Sequence, residues 1–237
     1  MSLFSLPSIR PYVILSAAIS LDGHIATLNG DSLLSNREDW IRVHHLRADS
    51  DAIMIGSGTV RADDSKLTVN EDLIEVKNIN HPIRIVVSSD GMIPLNSRII
   101  IHRPDIPTLI ATTSRCSLIQ TEKLEKRGCK IIKCGNGPLV DLSKLLLVLK
   151  TDFQVNKLML EGGSQLNGAM LNLQFIDEIQ LAIAPVICGQ GIPLFKLSKA
   201  FYMFSESPFF DIKSYNQIGD MIWLKMLINY QSREIAL

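Results

Sequence analysis

Two stretches combine residue types that suit ligand chemistry. Gly56-Ser57-Gly58-Thr59 leaves the apolar run Asp51–Ile55 (DAIMI) and leads through Val60-Arg61-Ala62 to the adjacent acids Asp63 and Asp64. Glu161-Gly162-Gly163-Ser164 leaves a second apolar run, Lys157–Leu160 (KLML). Glycines let a ligand approach the backbone, and a helix start offers unpaired N–H groups and the positive end of its dipole to an anion. Thr59 adds a hydroxyl, and Asp63 and Asp64 add acceptors for hydroxyl or amide donors. The plainer readings are a tight strand-to-helix turn capped by Ser164, and a capped loop or short helix with solvated acids. Glu161 favours the chemical reading, because a carboxylate at a strand's end needs water or a partner. Ligands of open α/β sheets sit outside the carboxyl ends of the strands. Two glycine-lined strand exits are therefore better explained by one cleft than by coincidence.

Several chemistries are excluded. Neither stretch is G-x-G-x-x-G, and no lysine follows the first at P-loop spacing. There is no G-x-S-x-G elbow and no H-x-E with P-C-x-x-C, which removes serine hydrolases and zinc deaminases. His44-His45 lacks H-E-x-x-H, and adjacent residues face apart on a helix, so both read as structural or surface residues. No metal site is expected.

The elements that must position these residues alternate between strand-length apolar runs and helix-period segments, the pattern of an α/β domain with a largely parallel sheet. Strands are expected at Tyr12–Ile19, Ala52–Ile55, Ile83–Val87, Ser97–Ile101, Thr108–Ala111, Lys130–Lys133 and Lys157–Leu160. A helix starts at Ser35 or Asn36 and runs to Ala48 with Trp40, Ile41, His44 and Leu46 on one side. Another runs from Ser114 or Ser117 to Arg127 and stops at Gly128, and Asp141 caps the leucine-rich LSKLLLVLK. From Glu178 the chain reads as β alone, through EIQLAIAP, a segment around Phe201–Phe204, Phe209–Ile212 and Met221–Ile228. Those segments suit antiparallel strands added to the parallel core. Asp22-Gly23-His24 reads as a turn and Gly189-Gln190-Gly191 as a loop.

Composition narrows the class. The 237 residues are 46% hydrophobic, which fits one large domain over 1–237 with residues 1–10 as an N-terminal extension. Lys+Arg and Asp+Glu balance at 24 each with no dense basic run, which argues against nucleic acid. The apolar stretch after Arg10 is about half a membrane span and meets a turn signal at Leu21-Asp22-Gly23, so it reads as a buried strand rather than an anchor or leader. Cys116, Cys129, Cys134 and Cys188 form no C-x-x-C pair and are expected as reduced thiols of a cytoplasmic protein.

Taken jointly, SLDGHIAT at 20–27, GDS at 30–32, LRAD at 46–49, MIGSGTVRADD at 54–64, LTV at 67–69, RIVVSS at 84–89, LEGGSQLNGAML at 160–171 and FIDEIQLAIAP at 175–185 resemble a known family. They look like the riboflavin-biosynthesis reductases of dihydrofolate-reductase-like fold, in the same order from about Pro11 onward. The resemblance implies an NAD(P)H-dependent oxidoreductase that reduces the ribosylamino group of a pyrimidine 5′-phosphate to ribitylamino. NADPH is the expected cofactor, with NADH as the alternative. The wording is nearest the stand-alone archaeal and fungal type, which acts on 2,5-diamino-6-ribosylamino-4(3H)-pyrimidinone 5′-phosphate. Alternatives are the deaminated substrate 5-amino-6-ribosylamino-uracil 5′-phosphate, another reductase of this fold, or a non-catalytic nucleotide-binding protein. Related enzymes are homodimers, and the β-rich C-terminal segment suits a subunit interface.

Carried over by residue, the resemblance assigns cofactor contacts to Thr59, Asp63, Ser88, Ser89, Gly162, Gly163, Ser164, Gln165 and Leu166, with the glycine-rich turn and helix start through Ala169 on the pyrophosphate. Arg115 joins Ser88 and Ser89 as a partner for a 2′-phosphate. Substrate contacts fall on Ser32, Arg47, Leu67, Asn70 and Glu161, with Arg47 as the bidentate phosphate partner. Asp63 and Glu161 are the candidates for moving the proton. Three positions depart from the family's wording. Ser16 stands where bacterial members carry lysine and archaeal ones often asparagine, Ser65 replaces a common proline, and Val186 replaces a frequent lysine.

Overall fold

The computed structural model describes residues 9–77, 79–198, 201 and 203–230, so most of the expected N-terminal extension lies outside them. In chain order the elements are β1 (Tyr12–Ser20), β2 (His24–Thr27), α1 (Arg37–Ala48), β3 (Ala52–Gly56), α2 (Ser57–Asp63), α3 (Glu71–Ile74), β4 (Ile83–Val87) and α4 (Arg98–Ile101). There follow β5 (Thr108–Thr112), α5 (Leu118–Glu125), β6 (Lys130–Lys133), α6 (Leu142–Thr151), β7 (Lys157–Gly162) and α7 (Ser164–Asn172). The chain ends with β8 (Glu178–Ala184), β9 (Gly191–Pro193), a 3-10 turn (Phe204–Glu206), β10 (Phe209–Ile218) and β11 (Met221–Asn229). Two compact units share these elements, and the chain passes from one to the other within β7.

Among the described residues the first unit comprises 9–12, 49–67 and 81–158. Its strands run β3-β4-β5-β6, all parallel, with Ala52 opposite Ile83, Arg84 opposite Thr108 and Leu109 opposite Lys130. A parallel strand buried on both faces needs a continuous apolar run. Ile53, Met54, Ile55, Ile85, Val86, Leu109 and Ile110 supply it, each 1% exposed or less. Helix α6 shows how the sequence sets a helix. Asp141 accepts the N–H of Lys144 at 3.0 Å as N-cap, and Leu142, Leu145, Leu146 and Leu149 bury one face at helical spacing. Each such leucine contributes about 1.5–3 kcal/mol.

Arg84 is the largest buried side chain of this unit, and its guanidinium donates to the carbonyls of His102, Arg103 and Ile106 at 2.7–3.0 Å. Burial lowers its pKa to about 10, against the opposing pull of nearby Cys129 and Asp105. The residue thus fastens the turn that follows α4. Residues 98–101, expected as a strand, form that helix instead. Four apolar residues are too few to show a period, and Ser97 donates no side-chain cap.

Among the described residues the second unit comprises 13–48, those of 68–80, and those of 159–230. Here β1 pairs parallel with β8, with Ser16 opposite Gln180, and β11 pairs antiparallel with both β8 and β10. The antiparallel addition expected after residue 178 is therefore present. Around Phe201–Phe204 the described residues form the 3-10 turn rather than a strand. The loop at Gly189–Gly191 leads into β9, which pairs with β2.

Helix α1 departs from its expected face. Trp40 is 43% exposed, while Asp39, Val43, Leu46 and Arg47 are buried. The buried charge is matched. Asp39 accepts from Ser35 and from Arg42, and Arg42 also reaches Gln180 at 3.2 Å and Ser16 at 3.4 Å. A cation from α1 therefore stands beside Ser16.

Candidate active site

In the second unit α1 and the end of β7 hold the most specific geometry. Arg47 donates through Nε to Glu161 Oε1 and through Nη2 to Oε2, both at 2.8 Å. The two side chains are 9% and 15% exposed. Glu161 thus meets the partner that a carboxylate at a strand's end requires. Arg47 Nη1 donates to the Thr68 carbonyl at 3.0 Å. A guanidinium carries five N–H groups, so two of Arg47's remain beyond these three bonds, one on each Nη, as donors for an anion.

Asn70 sits beside them in sequence and fold. Its Oδ1 caps α3 by accepting the Leu73 N–H, and its own N–H donates to His44 Nδ1 at 3.0 Å. His44 was expected to be structural or a surface residue. It lies one helical turn before Arg47 on the same face, and the charges of Arg47 and Glu161 both act on it. Burial lowers its pKa to about 4, with Arg47 adding to the drop and Glu161 opposing it. Ser32 lies exposed in the β2–α1 connection, where its carbonyl accepts the Leu34 N–H.

The glycine-rich junction follows Glu161. Gly162 has φ +91°, a conformation that favours glycine, and the Gly162–Gly163 peptide is cis. Gly163, not Ser164, is the N-cap of α7, with extended backbone and no side-chain cap bond. Ser164 is instead the first helical residue, 7% exposed, and its buried Oγ has no partner among the described residues. Gln165 is exposed and Leu166 is buried behind it. A nine-residue helix that starts with a buried, orphaned hydroxyl fits an anionic ligand oxygen. Residues 194–196 brace this turn, since Asn167 Nδ2 donates to the Leu194 carbonyl and the Lys196 N–H to the Ser164 carbonyl.

In the first unit β3 leads directly into α2. Thr59 and Asp63 are four residues apart and share a face, Thr59 half-buried and Asp63 exposed. Asp64 closes the helix in the left-handed region, with its Oδ1 accepting the Arg98 N–H at 2.7 Å, so this acid serves the fold. Leu67 is 1% exposed, which leaves its backbone rather than its side chain for a ligand. Ser88 and Ser89 follow β4. Ser88 donates to Asp90 at 3.3 Å, and the Ser89 carbonyl accepts both the N–H and the hydroxyl of Thr113. The Met92 N–H, the Ser88 hydroxyl and the nearby Arg115 charge hold the Asp90 carboxyl below its usual range, against its partial burial. A cleft of about 570 Å³ also opens in this unit, lined by Ser114, Ser117, Lys133, Asn136 and Lys144 among others, and no candidate site residue is part of that lining.

One acid of the motif at 20–27 has a different duty. Asp22 accepts the Ser20 hydroxyl at 2.6 Å, the Cys188 N–H at 3.0 Å and the Gly189 N–H at 2.7 Å. Those bonds, led by Cys188, push its pKa far below the usual carboxylate range. Among the described residues no group of three His, Cys, Asp or Glu side chains is placed to hold a metal ion, and no helix is long and apolar enough to cross a membrane.

Comparison with known proteins agrees with this architecture. The profile of the family described as the RibD C-terminal domain matches residues 11–213. The chain belongs to that family. Among curated relatives of the RibD C-terminal domain, the 2,5-diamino-6-ribosylamino-4(3H)-pyrimidinone 5′-phosphate reductase of Methanothermobacter thermautotrophicus is 42% identical over 180 residues, covering 76% of this chain and 80% of the relative. The solved RibD of Acinetobacter baumannii has a TM-score of 0.79 at 26% identity and covers 94% of this chain, which spans only 59% of that longer protein. The riboflavin biosynthesis reductase Rib7 of Saccharomyces cerevisiae shares the fold, with a TM-score of 0.71 at 20% identity over 95% of this chain and 93% of its own. The mostly parallel α/β architecture with added antiparallel strands, expected from the resemblance, is the fold of this RibD C-terminal domain protein.

Proposed function

We propose that this protein reduces the ribosylamino group of 2,5-diamino-6-ribosylamino-4(3H)-pyrimidinone 5′-phosphate to ribitylamino, using NADPH, in riboflavin biosynthesis. The β7–α7 junction carries the reaction class: an orphaned buried hydroxyl and a glycine-rich helix start suit the diphosphate of a nucleotide cofactor. The substrate follows the name borne by the 42% identical relative. Bound there, the reduced nicotinamide supplies a hydride to the ribose carbon that carries the amine.

The chain's own residues bind, orient and handle the proton. Ser164 Oγ and the first N–H groups of α7 hold the diphosphate, while Gly162 and Gly163 let it approach the backbone and Gln165 and Leu166 complete the turn. Thr59, Ser88 and Ser89 contact the rest of the cofactor. Glu161, fixed by both oxygens to Arg47, is an oriented acceptor for a ribose hydroxyl. Arg47's two remaining Nη hydrogens, Ser32 and the Asn70 amide receive the substrate's polar groups, and the resemblance gives Leu67 a backbone contact with the substrate. Asp63, the exposed member of the two nominated acids, handles the proton for the opening glycosylamine.

Two copies assemble in this reading. On β10 the side chains of Phe210, Ile212 and Tyr215 are 37–72% exposed, and they stand opposite Ile228, Met226 and Leu224 on β11. Directly opposed residues share a sheet face, so the hairpin presents a continuous apolar surface suited to its own copy. Four free cysteines, three of them buried, fit a cytoplasmic location.

The decisive assay follows loss of reduced-nicotinamide absorbance with NADPH and each of the two pyrimidines, diamino and deaminated. Turnover preferring the diamino compound is expected. Preference for the deaminated compound would move the reaction after deamination, and cofactor binding without turnover of either would end the reductase reading. Light scattering should give twice the chain mass, reduced to one by Ile212→Glu.

A further inference from the structure

The segment Thr68–Asn70 is held to α1 by two bonds of opposite sense. Arg47 donates to the carbonyl of Thr68, and His44 accepts the N–H of Asn70. In extended chain a carbonyl and the N–H two residues later point to the same side, which is how one strand pairs with another. Asn70 is extended, with φ −95° and ψ 98°, and Val69 between the two bonds is 5% exposed. Residues 44 and 47 of α1 therefore do for this short segment what a neighbouring strand would do.

The two bonds differ in what depends on them. Thr68 offers only its backbone to Arg47. Asn70 offers its N–H to His44 and its Oδ1 to the Leu73 N–H, so its backbone and one side-chain atom are both fixed. What remains of its polar inventory is the Nδ2 amide, two donors on an exposed residue. The direction of those donors is set by the backbone that His44 pins.

His44 can serve only while its Nδ1 is unprotonated, with the ring hydrogen on Nε2. Its surroundings impose that state: burial and Arg47 on its own helix disfavour the cation, and Glu161 at the end of β7 is the nearby charge acting the other way. Because Glu161 is already bound by Arg47 through both oxygens, its pull on the imidazole is weakened.

We propose that His44 is a positioning residue of the substrate site: through unprotonated Nδ1 it fixes the Asn70 backbone and so aims the Asn70 amide at the substrate. This rests on the reductase reading, in which Asn70 contacts substrate. A histidine buried for packing alone would tolerate any side chain of similar bulk. A positioning histidine demands an acceptor at the δ position.

Three variants separate those cases. Asn carries its acceptor Oδ1 as many bonds from the backbone as Nδ1, whereas Gln places its oxygen one bond further out. His44→Ala is expected to raise the substrate KM about tenfold, one hydrogen bond's worth, with kcat altered less than about threefold and cofactor KM unmoved. His44→Asn should recover most of the loss, and His44→Gln should resemble His44→Ala. In the ligand-free protein, exchange of the Asn70 amide hydrogen should quicken about tenfold in His44→Ala and His44→Gln but not in His44→Asn. Equal rescue by Gln and Asn, or unchanged Asn70 exchange in His44→Ala, would overturn the proposal. If the parent protein turns over neither pyrimidine, the reductase reading fails, while Asn70 exchange still decides whether His44 fixes that segment.

Discussion

Gly168→Ala tests how tightly residues 194–196 are laid over the first turns of α7. A Cβ at residue 168 would stand 2.7 Å from the carbonyl carbon of Lys196 and closer still to its oxygen. Carbon atoms pack at about 3.5–4.0 Å, so one chain must retreat by about 1 Å. Both braces then fail. The Lys196 N–H to Ser164 bond, 2.9 Å, and the Asn167 to Leu194 bond, 3.0 Å, would stretch beyond hydrogen-bond range. Two such bonds contribute about 2 kcal/mol, and overpacking costs about 1–3 kcal/mol more. Against these, alanine gains about 1 kcal/mol over glycine inside a helix. The clash wins, and the net loss is about 2–4 kcal/mol. For a chain of this length that lowers Tm by roughly 4–16 °C.

Gly58→Ala is the matched control. It lies in α2 with nothing within 4 Å of the added methyl, so the same substitution should stabilise by about 0.5–1 kcal/mol. Urea unfolding of both variants gives the two signs. A Gly168→Ala protein as stable as its parent would refute the brace. The pair also separates stability from binding. Gly168→Ala should weaken cofactor affinity along with stability, because the disturbed turn carries Ser164. If the cofactor passes close to α2, Gly58→Ala should raise cofactor KM while the protein melts higher.

Three further outcomes are expected. Arg47→Ala and Glu161→Ala should each cost about 3–5 kcal/mol by leaving a buried charge uncompensated, and the double variant should cost clearly less than their sum. Strict additivity in urea titrations would deny the coupling. His44 makes stability depend on pH: its pKa is about 4 when folded and 6.5 ordinarily, so between these values the unfolded chain binds more protons. Its contribution is complete above pH 6.5 and lost as pH falls to about 4. That interval is worth about 3 kcal/mol, and solvent at the half-buried ring reduces it to roughly 1–2 kcal/mol. His44→Asn should remove that slope, and an unchanged difference between unfolding midpoints at pH 7 and pH 4.5 would contradict it. Finally, Arg115→Ala should raise the KM for NADPH about tenfold and leave NADH nearly unaffected, since Arg115 is the cation beside Asp90 and Ser88. Equal effects on both cofactors would remove Arg115 from the 2′-phosphate.

Much of this fold was legible because its signals are local. Parallel strands of the first unit are short, mainly apolar runs, and Ser117 and Asp141 stand where their side chains cap α5 and α6. The glycine-rich exits at 56–59 and 161–164 stood out as candidate sites because each joins glycines at a strand's end to hydroxyls and acids. Two failures share a cause: the deciding partner is far away in sequence. Helix α1 was assigned an apolar face containing Trp40, yet it buries Asp39, paired with Arg42 one turn on, and Arg47, whose partner Glu161 lies 114 residues away. His44 looked incidental, because nothing in VHHLRA announces the Asn70 amide 26 residues later. Ser164 was placed as a cap and is the first helical residue instead, since Gly163 takes the extended conformation that a cap requires. Residues 98–101 show no period that distinguishes one turn of helix from a short strand.

Asp22 bears on how any mutational survey of this protein should be scored. Its carboxylate gathers a hydroxyl and two backbone N–H groups, joining the β1–β2 turn to Cys188 and Gly189 ahead of β9. A library ranked by turnover alone would class Asp22 beside Asp63, the acid proposed to move the proton, as two acids whose loss silences the protein. The phenotypes have different origins. Loss of Asp22 lets the loop before β9 come away, and an osmolyte or lower temperature that favours the compact chain should revive activity. Neither treatment returns a missing proton carrier. Rescue by conditions, rather than depth of defect, is therefore the criterion that sorts the acids of this protein into those that build it and those that work in it.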